Sequence, residues 1–111
     1  MDILELLLFA KKESASDVHI SSGEPPVIRI HGEMRKLDAT ALPREEVHNM
    51  LYGILNDQQR KTFEEFHELD FAIALTDAGR FRVNAFLQRR GESIVFRTIP
   101  TVIPSLEQLN M

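Results

Sequence analysis

The residues best suited to bind a ligand are two arginines, Arg82 and Arg97, in consecutive strand-like stretches of the chain. Apolar and polar residues alternate over 80–87 and again over 92–99, as in strands with one buried face. The connection 88–91 has an even length whether the turn takes two residues or four, and both cases give the same pairing register. Arg82 is therefore predicted to lie directly opposite Arg97, on the side away from the apolar residues.

Two guanidinium groups that converge on one place could bind an anion, and a phosphate group in particular. Like charges that face each other destabilise a sheet, whereas the rigid donor fork of arginine matches the oxygens of a phosphate. A loop predicted at 77–79, with Gly79 in the left-handed conformation, leaves Ala72 and Ala74 on the same side, where small side chains make room. Two alternatives stay open: acidic neighbours neutralise the arginines, or both side chains extend into water.

Other chemistry has weaker support in the residues. The glycines are dispersed, and the phosphate-binding pattern G-x-x-x-x-G-K-[ST] does not occur. The four histidines, at 19, 31, 48 and 67, lack H-E-x-x-H spacing, and cysteine is absent, so no metal site is predicted. Asp17 and His19 share one strand face, but no serine or cysteine nucleophile lies at an identifiable elbow nearby. We therefore predict no catalytic residues within this chain.

The elements that would position these residues follow from hydrophobic periodicity. Apolar residues recur at helical spacing from Val47 to Leu55, after Pro43, and Asn56-Asp57 begins a further helix with Phe63 and Phe66 on its buried side. The complete prediction is helix 3–13, strands 17–21, 27–31 and 33–37, two helices, and strands 69–75, 80–87 and 92–99. The order αβββααβββ predicts an α+β fold, an antiparallel sheet with helices packed on one side.

Length and charge limit the class of protein. The 111 residues suit one domain, and a net charge of −4 disfavours nucleic acid as a partner. The apolar run 4–9 contains Glu5 and is too short to cross a bilayer, so we expect a core helix in a cytoplasmic protein. Pro100 and Pro104 are typical of an interdomain linker, and Ser105 begins a capping box. We therefore predict a folded domain at 1–99, and at 100–111 a linker and the start of a helix that leads to an absent domain.

Five motifs together resemble the N-terminal domain of the type IV pilus retraction ATPases, the PilT family of the secretion ATPase superfamily. The resemblance covers essentially the whole chain, in order and with matching spacing. The motifs are A-S-D-V-H at 15–19, G-x-P-P at 23–26, N-D-x-Q-R at 56–60, G-R-F-R-V-N-A-F at 79–86 and F-R-T-I-P at 96–100. Pilus extension and type II secretion ATPases share the first motif and the R-F-R strand, but R-V-N-A-F is more similar to the retraction branch.

The resemblance implies a PAS-like domain, followed in the parent protein by a RecA-like ATPase domain with the Walker motifs. It implies six subunits in a ring, with ATP and Mg²⁺ bound in the parent and no cofactor expected in the isolated domain. It implies that Arg82 and Arg97 reach the terminal phosphate of the nucleotide. Asp17 and His19 belong to the shared A-S-D-x-H motif and are possible contacts with the neighbouring subunit.

The function that follows is a regulatory, nucleotide-sensing domain of a hexameric motor ATPase that powers pilus retraction and twitching motility. Its expected partners are the RecA-like domains of the same and neighbouring subunits, and the pilus machinery at the cytoplasmic face of the inner membrane. Without Walker motifs the chain alone is not expected to hydrolyse ATP. Two other functions stay open: a stand-alone PAS-like sensor or adaptor, and the same domain in a pilus extension or type II secretion ATPase.

Overall fold

A computed structural model describes residues 3–37, 40–75 and 77–99 of the chain, and within them three helices and six strands follow one another in the order αβββααβββ. The bounds that the sequence predicted for the first helix and the six strands lie within one residue of the observed bounds. They are α1 (Ile3–Lys12), β1 (Asp17–Ser21), β2 (Val27–Ile30), β3 (Glu33–Lys36), α2 (Arg44–Ile54), α3 (Asp57–Phe66), β4 (Glu68–Leu75), β5 (Gly79–Gln88) and β6 (Gly91–Ile99). The linker and helix predicted at 100–111 lie outside the described residues.

The six strands form one sheet in the order β3-β2-β1-β6-β5-β4, and every neighbouring pair is antiparallel. This confirms the α+β prediction with an antiparallel sheet. The first and last strands of the described chain, β1 and β6, pair with each other in the middle of the sheet. Their pairing joins the two hairpin-connected halves, β1 to β3 and β4 to β6, into a continuous surface.

The three described helices contribute to one core on one face of the sheet. Apolar strand residues alternate toward that face, as the strand patterns require, and Phe81 and Phe96 meet edge to face at 6.3 Å between ring centres. Both rings are fully buried. Because alternate residues point to opposite sides, the polar residues of the same strands form the other face, which carries Arg82 and Arg97 and is called the arginine face below.

Helix α3 confirms one local prediction and corrects another. Asn56 caps it, since its side chain accepts from the backbone N–H of Gln59 while the Gln59 side chain accepts from the backbone N–H of Asn56. Phe63 is buried as predicted, but the prediction for Phe66 was wrong, because 66% of that residue is exposed. Phe66 is the last residue of the helix, and His67 turns the chain away in a left-handed conformation with φ 59°.

The hairpin between β4 and β5 differs from the prediction in its register. Leu75 pairs with Gly79, so the loop begins one residue earlier than the predicted 77–79 and each pair is shifted by two residues. Gly79 has the predicted positive φ, at 97°. An even shift leaves every side chain on its predicted face, so Ala72 lies opposite Arg82 on the arginine face.

Candidate functional site

A row of four charged residues crosses the arginine face. Arg29, Asp17, Arg97 and Arg82 lie on β2, β1, β6 and β5, and each is directly opposite the next in the pairing register. The pairing of Arg82 with Arg97 confirms the register predicted for this hairpin. Directly opposed side chains start about 5 Å apart, so the row places three cations beside one carboxylate. Even with Asp70 of β4 beside Arg82, the row carries more positive than negative charge, although the chain as a whole is acidic.

Arg82 forms a two-point ion pair with Asp70 of β4. Its Nε and Nη2 lie 3.2 and 2.9 Å from the two carboxylate oxygens. The hydrogen bonds from Arg82 lower the pKa of Asp70 below its ordinary value, and the same bonds raise the pKa of Arg82. This contact corresponds to the alternative in which an acidic neighbour neutralises the arginine. The side chains are 66% and 47% exposed, so water and salt weaken the pair.

Arg97 is held far less closely. Its Nε lies 3.8 Å from Oδ2 of Asp17, which is too long for a hydrogen bond, and 69% of its side chain is exposed. Asp17 is the opposite case, with only 12% of its side chain exposed. The guanidinium of Arg97 therefore lies over a shielded negative charge and still presents donors to the outside.

Asp17 and His19 lie two residues apart on β1 and share the arginine face. Nε2 of His19 is 3.8 Å from Oδ2 of Asp17, is shielded from solvent, and has no hydrogen-bond partner within residues 3–37, 40–75 and 77–99. Burial lowers the pKa of His19, the nearby Arg29 and Arg97 lower it further, and Asp17 opposes them. His19 is therefore mainly neutral at pH 7.

A side-chain contact that the sequence did not reveal joins helix α2 to strand β6. Nδ1 of His48 contacts Oε2 of Glu92, whose side chain is only 5% exposed. The His48 ring also stacks on Tyr52, with 4.2 Å between ring centres. No local pattern signals this pair, because a histidine on a helix and a glutamate at the start of a strand are ordinary surface residues by sequence alone.

The described part of the chain has no cluster of metal-ligating side chains and no helix suited to cross a membrane. Among these residues no three or more histidine, aspartate or glutamate side chains are grouped so that they could hold a metal ion. None of the described helices is both long and apolar enough to cross a membrane.

The fold and the sequence both match one domain of the type IV pilus ATPases. The chain is homologous over its full length to the type IV pilus retraction ATPases and corresponds to their N-terminal domain. It is 50% identical over all 111 residues to the type IV pilus retraction ATPase PilT of Pseudomonas aeruginosa, covering 32% of that protein. It is 48% identical over 84 residues, 76% of the chain, to a twitching motility protein of Neisseria gonorrhoeae, covering 22% of it.

Solved structures show the same relationship. The structure of the pilus retraction motor PilT with bound ADP superposes with a TM-score of 0.88 at 33% identity, over 96% of this chain and 32% of that one. The Legionella pneumophila ATPase DotB superposes with a TM-score of 0.76 at 26% identity, over 97% of this chain and 31% of that one. No protein-family model matches the chain. The chain spans about a third of the length of PilT, the first of these curated relatives.

Proposed function

We propose that this chain is the regulatory, nucleotide-sensing domain of a hexameric motor ATPase that powers type IV pilus retraction, and that Arg82 and Arg97 contact the terminal phosphate of the nucleotide. The observation that carries the proposal is that the two arginines are directly opposed on one face, and about two thirds of each side chain is exposed. A homologous structure is that of a pilus retraction motor with bound ADP. The two cations would sense a phosphate that a second domain holds.

The local ion pairs are compatible with this role. Asp70 supplies one negative charge to Arg82 at a solvent-exposed position, so the pair is easily exchanged. A terminal phosphate carries more charge and three oxygens, and it can accept from both guanidinium groups together. Asp17 lies under Arg97 at 3.8 Å and would keep that guanidinium near the row without occupying its outward donors.

The proposal includes the surroundings of the domain. ATP and Mg²⁺ would bind in the parent protein, and the RecA-like domains of the same and the neighbouring subunit would be the partners in a ring of six. Asp17 and His19 would lie at the contact with the neighbouring subunit, which could supply the missing partner for Nε2 of His19. The parent would work in the cytoplasm at the inner membrane, with the pilus machinery. The PAS-like fold type and the domain limits, 1–99 and 100–111, belong to the same proposal.

A second candidate is the same domain in a pilus extension or type II secretion ATPase, because the chain superposes on the ATPase DotB as well as on a retraction motor. The higher identity and TM-score of the retraction ATPases support retraction over this candidate. A stand-alone sensor has less support, because the curated relatives are about three times as long as this chain.

The test uses the full-length protein with Arg82→Ala or Arg97→Ala. Cations that stabilise phosphoryl transfer are worth about 10³ to 10⁵ in kcat, so we expect at least a hundredfold fall with the ring intact. Arg35→Ala is the matched control, since Arg35 is 61% exposed and also faces one carboxylate, at 3.6 Å. It lies on β3, four strands or about 19 Å from Arg82 on β5, and three strands or about 14 Å from Arg97 on β6. If both test variants keep wild-type turnover and assembly, the phosphate role is wrong.

A further inference from the structure

A polar cavity lies at the end of the sheet where β1 ends and β5 turns into β6. Its volume is about 350 Å³, at the small end of the range for ligand pockets. We propose that this cavity, called the turn pocket below, binds a phosphate group together with the small organic group that carries it. The turn pocket is lined by Ser21, Ser22, Glu24, Gln88, Arg89 and Arg90.

Positive charge exceeds negative charge around the turn pocket. Gln88 pairs with Gly91, so Arg89 and Arg90 form a two-residue turn at its edge. Arg44, the first residue of α2, covers the same turn, because a Cβ placed on Gly91 would lie 2.7 Å from Cγ of Arg44. The positive φ of Gly91, 132°, together with this close approach favours a glycine at this position.

Few carboxylates neutralise these arginines. Oε1 of Glu24 lies 3.8 Å from Nη1 of Arg90, beyond hydrogen-bonding distance. The carboxylate of Glu92, next to Gly91 in sequence, contacts His48 instead. The guanidinium groups of Arg89 and Arg90 with one loosely associated carboxylate leave a net positive charge, which an anion would balance.

A chain of hydrogen bonds leads into the turn pocket. Gln88 Nε2 donates to Ser93 Oγ, and Ser93 Oγ donates to Ser21 Oγ at 3.3 Å. Ser93 is only 2% exposed, so this chain lies in a shielded environment where each bond polarises the next. Ser21 lines the cavity and accepts from Ser93, which leaves its own hydroxyl proton to donate to a ligand. The last group of the chain is therefore a polarised donor beside the arginines.

A phosphate fits this donor set better than a carboxylate does. A phosphomonoester carries about −1.5 to −2 charge at pH 7 and three acceptor oxygens, enough for two arginine forks and one hydroxyl. Ser93 and Arg97 are four residues apart on β6, or about 13 Å, so the turn pocket is separate from the proposed nucleotide contact. The inference is therefore independent of the role of Arg82 and Arg97.

The phosphate that binds in the turn pocket could belong to a free phosphate compound or to a lipid headgroup. One experiment tests both sources in separate arms. Inorganic phosphate is titrated into the chain at constant ionic strength, with chloride as the reference, and the backbone amide resonances of Gly23 and Gly91 are followed by NMR. Phosphatidylcholine vesicles with and without phosphatidic acid are tested in parallel by cosedimentation. We expect saturable binding in at least one arm, and the arm that responds identifies the source.

Three variants decide whether binding occurs at the turn pocket. The double variant Arg89→Ala/Arg90→Ala should weaken binding at least tenfold, because a charge-assisted hydrogen bond is lost with each side chain. Ser21→Ala should also weaken binding, but by less than the double variant does. Because this substitution removes only one hydroxyl group, it still tests the site if the double variant folds poorly. Arg35→Ala, which removes an exposed arginine of β3 outside both proposed sites, is the control and should bind like the wild type. The proposal is overturned if neither probe binds, or if the double variant and Ser21→Ala both bind like the wild type.

Discussion

The contact between His48 and the buried carboxylate of Glu92 makes the sharpest prediction for stability. His48→Ala removes the partner of a carboxylate that is only 5% exposed. Breaking a fully buried ion pair costs about 3–5 kcal/mol, and a buried group left without its hydrogen bond costs about 1–3 kcal/mol. The His48 side chain is 45% exposed, so water can reach the gap, and we expect the lower range, about 2 kcal/mol.

Thermal unfolding followed by circular dichroism measures this cost. For a domain of this size, 1 kcal/mol shifts the Tm by about 4–8 °C, so His48→Ala should lower it by roughly 10 °C. Asn49→Ala is the matched control, because it truncates an exposed neighbour on the same helix and should change the Tm little.

A double-mutant cycle separates the contact with Glu92 from the stacking of His48 on Tyr52. Glu92→Gln removes the buried charge, so His48→Ala should cost clearly less in that background than in the wild type. Equal costs in both backgrounds would show that stacking, and not the carboxylate, explains the loss. A change below about 0.5 kcal/mol for His48→Ala in the wild type would refute the reasoning altogether.

Three further predictions concern single residues. Burial lowers the pKa of His19 below 6.5, so near this pH the unfolded chain binds more protons than the folded chain. The free energy of unfolding should therefore fall as the pH drops from above 6.5 through the pKa of the folded state. Denaturant unfolding at several pH values should show a smaller fall for His19→Gln than for the wild type. Phe96→Ala should cost about 3–5 kcal/mol in urea unfolding, whereas Phe66→Ala, at an exposed position, should cost little, and similar losses for both would contradict the observed core. Asn56→Ala should cost about 1 kcal/mol because the capping box of α3 is lost, and an unchanged urea midpoint would argue against the cap.

Local patterns in the sequence determined most of the elements and one feature of the site. Strand alternation and helical spacing depend on neighbouring residues, so they predicted all three helices and six strands, and the bounds of the first helix and of the strands to within one residue. The pairing of Arg82 with Arg97 was predictable for the same reason, since an even, short turn admits one register. The Asn56-Asp57 helix start was equally local, because a cap is satisfied within three residues.

Only the tertiary structure decided which distant residues meet. Asp17 lies opposite Arg97 because β1 pairs with β6. These strands are far apart in sequence, so no short-range pattern predicts that they are neighbours in the sheet. The contact of Asp70 with Arg82 depends on a hairpin register that the predicted loop missed by two residues. Phe66 is exposed because the chain turns at His67, and Glu92 is buried because α2 packs over it. The physical reason is that periodicity specifies which face a residue occupies, whereas its partners there depend on packing between elements.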